Sequence, residues 1–347
     1  MKYKVLFPTS IIVFPSILIF SVLCYKADSQ FDLGIYRLLT LQSFPRLISR
    51  NTIIVFAAAI LVLFIDIYLY VRKDTVGYIY SICVVILSVL GLIICLSGVY
   101  PIVTTQRDIM HLRESIHKEK TIIHAGGALY DEDGNRYIYT NSMDAVNNAY
   151  QCDNHFIELD MIPCADGSMI CSSLPEHVGM TKQEFEEATV YDLFDTMTLS
   201  DLIDFMHRNE GVYIITDTKE GNSWGCEELA LNCPDLLDRF IVQIYSPDEY
   251  SFVRERGFKY IIYTLYLTEE EERKPAVLQE YVRQHDIVGI TFREEWMNDE
   301  TYYEPLRAIG VPLYVHTVDD TAQMLDDIAA GIDAVYTNNT DNEWIRE

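Results

Sequence analysis

From residue 121 to the end of the chain, short apolar runs alternate with segments in which apolar residues recur every three or four positions. The runs are continuously apolar, as at 212–215 and 260–263, which is typical of parallel strands covered on both faces. Eight strands are predicted, at 121–124, 155–160, 212–217, 240–245, 258–264, 286–291, 312–317 and 333–337. Helices are predicted between them, at 141–151, 199–208, 224–236, 247–257, 268–285, 299–309 and 320–331. This alternation within 227 residues predicts one (β/α)₈ TIM barrel.

One alternative fold and one interruption accompany this prediction. A doubly wound open sheet has the same alternation of strands and helices, so it is the structural alternative. The stretch 161–198 interrupts the alternation with Asp166-Gly167, a pair typical of hairpin turns, followed by a polar region. We interpret this stretch as a small insertion after the second strand.

The first part of the chain has a different pattern, with three long apolar runs at 5–25, 52–71 and 76–103. About 20 apolar residues in a helix cross the hydrocarbon core of a bilayer, and each run is long enough. The first run has no evident cleavage site, which argues against a removed signal peptide. The sequence therefore predicts an all-α membrane region of about three transmembrane helices over 1–103, a linker over 104–120 and the barrel domain over 121–347.

Charge is divided as unevenly as hydropathy. Residues 1–120 contain 12 Lys and Arg against 7 Asp and Glu, whereas residues 121–347 contain 14 against 45, a formal charge of −31. A domain this acidic repels polyphosphate backbones, so nucleic acid is not expected as a partner. The distribution of Lys and Arg around the apolar runs favours a cytoplasmic barrel on an integral protein of the cell membrane.

Polar side chains lie at the ends of several predicted strands, and in a parallel barrel these ends meet at one mouth. Glu158 and Asp160 share a face of the second strand because they are two residues apart, and Asp217 and Lys219 share a face at the end of the third. Three converging carboxylates form a hard oxygen site that suits a divalent cation, Mg²⁺ or Ca²⁺. Lys219 is expected to bind a phosphate oxygen beside such an ion.

Three histidines are candidates for proton transfer. His124 precedes Gly126, a residue that lets the backbone or a substrate approach closely, and a histidine there can act as general acid or base near neutral pH. His316 ends the seventh predicted strand, and His177 lies in a loop after the insertion hairpin. For His177, a plain surface position is the alternative interpretation.

Taken in chain order, these motifs resemble those of the glycerophosphodiester phosphodiesterases. The resemblance rests on His124-Ala-Gly-Gly127, Asn141-Ser142, Glu158-Leu-Asp160 followed by Ala165-Asp166-Gly167, Asp217-Thr-Lys219 and Thr317-Val-Asp319, and it covers nearly all of 121–340. Members of that family are TIM barrels with an insertion after strand two. They use a divalent cation and two histidines to cleave glycerophosphodiesters to an alcohol and glycerol phosphate. The resemblance implies metal ligands at Glu158, Asp160 and Asp217 and one catalytic histidine at His124.

The sequence departs from the pattern of this family at three positions. The arginine that follows the first histidine is Ala125 here, the glutamate of a Glu-Asn-Thr motif is Thr140, and the second histidine is Ser173. Loss of one member of an acid-base pair lowers rates by about 10²–10⁴.

Two functions are therefore expected as alternatives. The first is metal-dependent hydrolysis of glycerophosphodiesters or related lipid headgroup phosphodiesters. The second is a catalytically impaired, membrane-tethered pseudoenzyme that binds a phosphodiester or a protein partner.

Overall fold

Eight parallel strands close into a barrel in the structure, a computed structural model that describes residues 105–342 and Ile345. The strands are β1 (Thr121–Ile123), β2 (Phe156–Pro163), β3 (Tyr213–Thr218), β4 (Phe240–Ile244), β5 (Tyr260–Thr264), β6 (Gly289–Arg293), β7 (Leu313–His316) and β8 (Ala334–Thr337). Each strand pairs in parallel with the next. The barrel closes because β1 pairs with β8 on one side and with β2 on the other. This closure confirms the predicted parallel barrel and excludes the open sheet.

Seven helices connect the strands, as the sequence predicts. They are α1 (Met143–Gln151), α2 (Leu199–Arg208), α3 (Asn222–Asn232), α4 (Glu249–Glu255), α5 (Pro275–Gln284), α6 (Glu300–Arg307) and α7 (Thr321–Ala330). Several begin at a side chain that accepts a hydrogen bond from a free backbone N–H of the first turn. Ser142 caps α1 in this way, Thr198 caps α2 and Asp320 caps α7. These caps fix where each loop at the barrel mouth ends.

The insertion after β2 extends the sheet beyond the barrel. The end of β2 pairs antiparallel with Met169–Cys171, and that strand pairs antiparallel with Met197–Thr198. Gly167 lies in the predicted hairpin turn with a φ of 87°, a conformation that glycine adopts without steric cost. The short helix Lys182–Glu186 follows, and its Phe185 is fully buried in a small separate core. The insertion is thus a small structured layer beside the mouth.

A helix over residues 105–119 precedes the barrel, in the segment that the sequence analysis assigns to a linker. Residues from Asp108 onward belong to the same compact unit as the barrel. Ile109, Leu112 and Ile116 of this helix are buried against apolar side chains from several strands, Ile122 and Phe156 among them. The helix therefore covers the end of the barrel that carries no predicted site residue.

The three apolar runs at 5–25, 52–71 and 76–103 lie outside the described residues. Within residues 105–342 and Ile345, no helix combines the length and the apolar character that crossing a membrane requires.

Candidate active site

A cleft of about 290 Å³ lies at the C-terminal ends of the barrel strands. Its floor contains Gln243, Thr264 and Tyr336, which are linked because the Gln243 Oε1 accepts hydrogen bonds from Thr264 Oγ1 (3.0 Å) and Tyr336 Oη (3.4 Å). Above this floor lie charged side chains from the ends of the strands. The predicted mouth of the barrel is therefore the site where these groups converge.

The three predicted metal ligands form one cluster in this cleft. Along β2, Ile157 and Leu159 pack into the apolar core, so the alternating residues Glu158 and Asp160 point into the barrel. Asp217 of β3 lies beside Asp160 in the strand register. One carboxylate oxygen from each acid lies within 4.8 Å of the other two, and all three residues are buried.

Lys219 lies against this cluster. Its Nζ is 2.5 Å from Asp160 Oδ1 and donates to Asp217 Oδ2 at 2.6 Å. Each of these two aspartates accepts one further hydrogen bond. Asn141 Nδ2 donates to Asp160 Oδ2 at 2.9 Å, and Tyr245 Oη donates to Asp217 Oδ1 at 2.7 Å. These contacts fix the orientation of both carboxylates.

The combined effect of burial and neighbouring groups raises the pKa of Glu158 and lowers that of Asp160. Burial raises the pKa of Glu158 well above its usual range, and the charges of Asp160 and Asp217 raise it further. Burial also opposes ionisation of Asp160, but Lys219, Asn141 and Ser173 outweigh burial and hold its pKa below the usual range. Burial opposes the charge of Lys219 as well, yet the two aspartates raise its pKa above the usual value.

The donor set suits a divalent cation. Carboxylate oxygens are the ligands that Mg²⁺ and Ca²⁺ prefer, and three of them converge here on a buried point. Three carboxylates face one ammonium, that of Lys219, so the cluster carries more negative than positive charge. A dication held by Glu158, Asp160 and Asp217 would supply the missing positive charge, so the residues fit the group that the sequence predicts.

His124 has a defined tautomer because of two residues that follow β7 and β8. The amide of Asn338 donates from Nδ2 to both carboxylate oxygens of Asp319, at 3.2 and 3.0 Å, so its Oδ1 is the atom that faces His124. That Oδ1 lies 3.0 Å from His124 Nδ1, which must therefore carry the proton. The lone pair of the neutral ring is then on Nε2, which is 3.9 Å from Glu158 Oε2. The Nε2 of His124 thus faces the acidic cluster.

Gly126 and His177, two predicted site residues, are absent from the described residues that line the cleft. Gly126 has a φ of 80°, and a Cβ there would lie 3.0 Å from the Cβ of Ala145 in α1. The missing side chain of Gly126 therefore makes room for helix α1 and not for a substrate. His177 is 2 % exposed, its Nδ1 lies 2.8 Å from Ser172 Oγ, and its ring packs edge-on against Phe185. His177 is therefore a core residue of the insertion, and the surface position considered for it is also not found.

His316 does line the cleft, at the end of β7. Its Nδ1 lies 2.9 Å from Thr291 Oγ1, and its ring contacts Tyr266 with 5.3 Å between the ring centroids. Burial, together with the nearby His124 and Arg293, lowers the pKa of His316 to about 4. His316 is consequently a neutral side chain near pH 7, with no imidazolium proton to donate.

The three departures from the family pattern have distinct structural outcomes. The backbone N–H of Ala125 donates to Glu158 Oε2 at 2.8 Å, so this position still supports the cluster. Thr140 is buried and accepts a hydrogen bond from Ser142 Oγ at 3.2 Å. Ser173 donates a side-chain hydrogen bond to Asp160 that helps lower the pKa of that acid. The position of the second histidine is thus occupied by a group that orients a carboxylate.

The structure adds site residues that the sequence analysis does not single out. Asn338 orients His124, Tyr245 donates to Asp217, and Tyr139 packs edge-on against the His124 ring at 4.8 Å between centroids. Arg293 ends β6 and lines the cleft. For Arg293 the signal was available, since it is a charged residue directly after a buried strand, whereas the partners of Asn338 lie too far away in sequence to be inferred.

Comparisons with known proteins support the fold. No protein-family model matches the sequence, and no curated protein matches it. A solved glycerophosphodiester phosphodiesterase from Thermotoga maritima is similar, with a TM-score of 0.51, 19 % identity and coverage of 64 % of this chain and 95 % of that one. Another from Parabacteroides distasonis has a TM-score of 0.50, 16 % identity and coverage of 65 % and 97 %. The barrel therefore has the fold of these enzymes.

Proposed function

We propose that the barrel hydrolyses glycerophosphodiesters, or related lipid headgroup phosphodiesters, to an alcohol and glycerol phosphate with the help of Mg²⁺ or Ca²⁺. The observation that carries the proposal is the convergence of Glu158, Asp160 and Asp217 with an oriented His124 in one cleft. The structural similarity to two glycerophosphodiester phosphodiesterases supports the same choice.

Each residue of the cluster has a separate role in this proposal. Glu158, Asp160 and Asp217 would hold the cation, which supplies neutralising charge to the phosphate when bound. The ammonium of Lys219 has three N–H donors and directs two of them to Asp160 and Asp217. Its side chain lines the cleft and is 37 % exposed, so an N–H of the ammonium can reach a phosphate oxygen there. The proposal therefore assigns Lys219 the role of a phosphate ligand.

Proton transfer would rest on His124. With the lone pair on Nε2, it can accept a proton from the water molecule whose oxygen attacks phosphorus. The bond from phosphorus to the leaving alcohol oxygen then breaks, and that oxygen needs a proton. The second family histidine would give this proton, but here that position is Ser173. Turnover is therefore expected to be slower by about 10²–10⁴ than with a complete acid-base pair.

A second function is favoured by Ser173 itself. Its hydroxyl is engaged with Asp160, and no cleft-lining residue within the described part of the chain is a histidine other than His124 and His316. A barrel with this site that binds a phosphodiester without turning it over would keep the acidic cluster and Lys219. The pseudoenzyme is therefore the alternative function.

One assay separates the two functions. The full-length chain in detergent is incubated with glycerophosphocholine or glycerophosphoglycerol and Mg²⁺ or Ca²⁺, and glycerol phosphate release is measured. The proposal expects slow release that increases in Ser173→His and disappears in His124→Ala. Binding of the diester by calorimetry without release in either the wild type or Ser173→His would support the pseudoenzyme.

We propose further that the chain is anchored in a membrane through its three N-terminal apolar runs, with the barrel on the cytoplasmic side. The proposal rests on the length of these runs and on the distribution of Lys and Arg. Cys152 is the partly exposed thiol of the barrel, whereas Cys226 and Cys233 are buried. An impermeant maleimide should therefore label Cys152 only after the cells are permeabilised, with Cys152→Ser as the control. Labelling of Cys152 in intact cells would place the barrel outside.

A further inference from the structure

The described residues that line the cleft include two permanent cations, Lys219 and Arg293. Their charges are offset to different degrees. Lys219 contacts two carboxylates at 2.5 and 2.6 Å. Arg293 is paired only loosely, because its Nη1 lies 3.7 Å from Glu295 Oε1, beyond hydrogen-bond distance, and its side chain is 50 % exposed. Arg293 therefore presents charge to the cleft that Lys219 does not.

The strand order places Arg293 opposite the acidic cluster. Arg293 ends β6, and β6 is four strands from β2 in either direction around an eight-stranded closed barrel. Thr291, two residues earlier, faces inward because it contacts His316, so the two-residue period directs Arg293 inward too. The cleft thus has an acidic side at Glu158 and Asp160 and a cationic side at Arg293.

The surroundings of Arg293 suit the planar recognition of an anion. Its guanidinium carbon lies 5.9 Å from the centre of the Tyr266 ring, and Tyr266 also contacts His316. An aromatic wall limits the directions that the guanidinium can take, and a guanidinium binds carboxylate or phosphate through two parallel N–H groups. Near neutral pH, His316 adds no competing charge because burial lowers its pKa to about 4.

We propose that Arg293 binds a second anionic group on the substrate, so that the cleft selects phosphodiesters whose end remote from the scissile phosphate carries a carboxylate or a phosphate. The selection rests on the proposed function, since it assigns the substrate class of that same cleft. A cationic headgroup such as choline would lie against the loosely paired guanidinium and would be disfavoured.

The test compares diesters of glycerol phosphate whose alcohols have similar size and different charge: glycerol, glycerate, glycerol phosphate and choline. With the full-length chain, the glycerate and glycerol phosphate diesters should have kcat/KM values about tenfold above the glycerol diester, because charge-assisted hydrogen bonds strengthen binding. The effect should lie in KM, as expected for a group remote from the reacting bond. The choline diester should be the poorest substrate.

Variants of Arg293 then assign the selection to this residue. Arg293→Gln should abolish the preference for both anionic diesters, Arg293→Lys should retain part of it, and Arg293→Glu should shift it toward choline. Arg256→Gln, directly after the end of α4, is the matched control, because Arg256 is a surface residue paired with Glu227 and lies outside the cleft. Its preference should equal that of the wild type.

The outcomes separate this inference from the proposed function. Turnover of all four diesters with no anionic preference, or a preference unchanged in Arg293→Gln, would overturn the role of Arg293 while the hydrolase stands. If no diester is hydrolysed, the proposed function fails. Calorimetric binding of the same diesters then tests whether Arg293 binds the second anionic group. Tighter binding of the two anionic diesters to the wild type than to Arg293→Gln would support it, and equal binding would overturn it.

Discussion

The side-chain amide of Asn338 determines which nitrogen of the neutral His124 ring carries the proton. Both carboxylate oxygens of Asp319 accept hydrogen bonds from Asn338 Nδ2. A flipped amide would instead place Asn338 Oδ1 against these oxygens, and two acceptors cannot form a hydrogen bond. His124 Nε2 is thereby directed toward Glu158 as an acceptor.

Replacing Asn338 by alanine should release the His124 ring. We expect kcat to fall by about 10- to 100-fold with little change in KM, since a ring that carries its proton on Nε2 cannot accept another proton at that nitrogen. ¹⁵N chemical shifts of the imidazole should change from one tautomer to a mixture, a readout that does not require turnover. Asn232→Ala, an exposed position on α3, is the control. An unchanged His124 tautomer in Asn338→Ala would refute this role.

His316 gives the folded chain a defined dependence on pH. Its pKa is about 4 when folded and about 6.5 when unfolded, so above about pH 6.5 it is neutral in both states. As the pH falls from 6.5 toward 4, the unfolded chain binds a proton that the folded chain does not, and stability is lost. His316 therefore destabilises the fold in mild acid and has no such effect at neutral pH.

This cost can be measured as a difference between variants. Between about pH 7 and pH 5.5, the wild type should lose about 1 kcal/mol of unfolding free energy relative to His316→Gln. Urea unfolding followed by tryptophan fluorescence reports on the barrel alone, because all three tryptophans follow residue 121. His111→Gln, at an exposed histidine of the helix over 105–119, is the control. Parallel pH profiles for wild type and His316→Gln would contradict the burial argument.

At the scale of elements, the helix over 105–119 stabilises the end of the barrel away from the cleft. Ile116 is fully buried among side chains from several strands, whereas Met110 on the same helix is 66 % exposed. Arg113 adds a hydrogen bond from Nε to the backbone carbonyl of Val288 at 3.1 Å. The segment is therefore a structural part of the barrel that the sequence analysis treats only as a connection.

Two substitutions on this helix should have unequal effects. Ile116→Ala removes buried methyl groups and leaves a cavity, so we expect about 3 kcal/mol of lost unfolding free energy. Met110→Ala should change the unfolding free energy by less than about 0.5 kcal/mol, because Met110 is largely solvated. Both values come from urea unfolding followed by tryptophan fluorescence. Equal and small effects would show that the helix does not pack on the barrel.

At the scale of the whole molecule, strand periodicity and the topology of a parallel barrel were sufficient to predict the barrel and the acidic cluster of the candidate site. The continuously apolar strands predict a covered parallel sheet, and the spacing of Glu158 and Asp160 predicts that both face inward. The shared mouth of a parallel barrel then predicts that Asp217 joins them, as the structure confirms. These inferences succeed because each depends on local pattern or on a rule of topology.

The rest of the site depends on contacts between distant positions. Asn338 meets His124 across 214 residues of sequence, and no local pattern indicates which amide will reach that ring. His177 shows the opposite case, because its loop position suggested either the cleft or the surface, yet its ring packs in the insertion core against Phe185. The orientation of loop side chains is set by packing that the sequence pattern does not record.

The central claim is that Glu158, Asp160 and Asp217 bind the divalent cation that turnover requires. The most direct measurement titrates Mg²⁺ or Ca²⁺ into the full-length chain and into Glu158→Gln, and follows cation binding and glycerol phosphate release from the four diesters together. We predict that release in the wild type rises with cation occupancy and stops with a chelator, and that Glu158→Gln loses both binding and release. Release that persists in the chelator, or in Glu158→Gln without bound cation, would contradict the account.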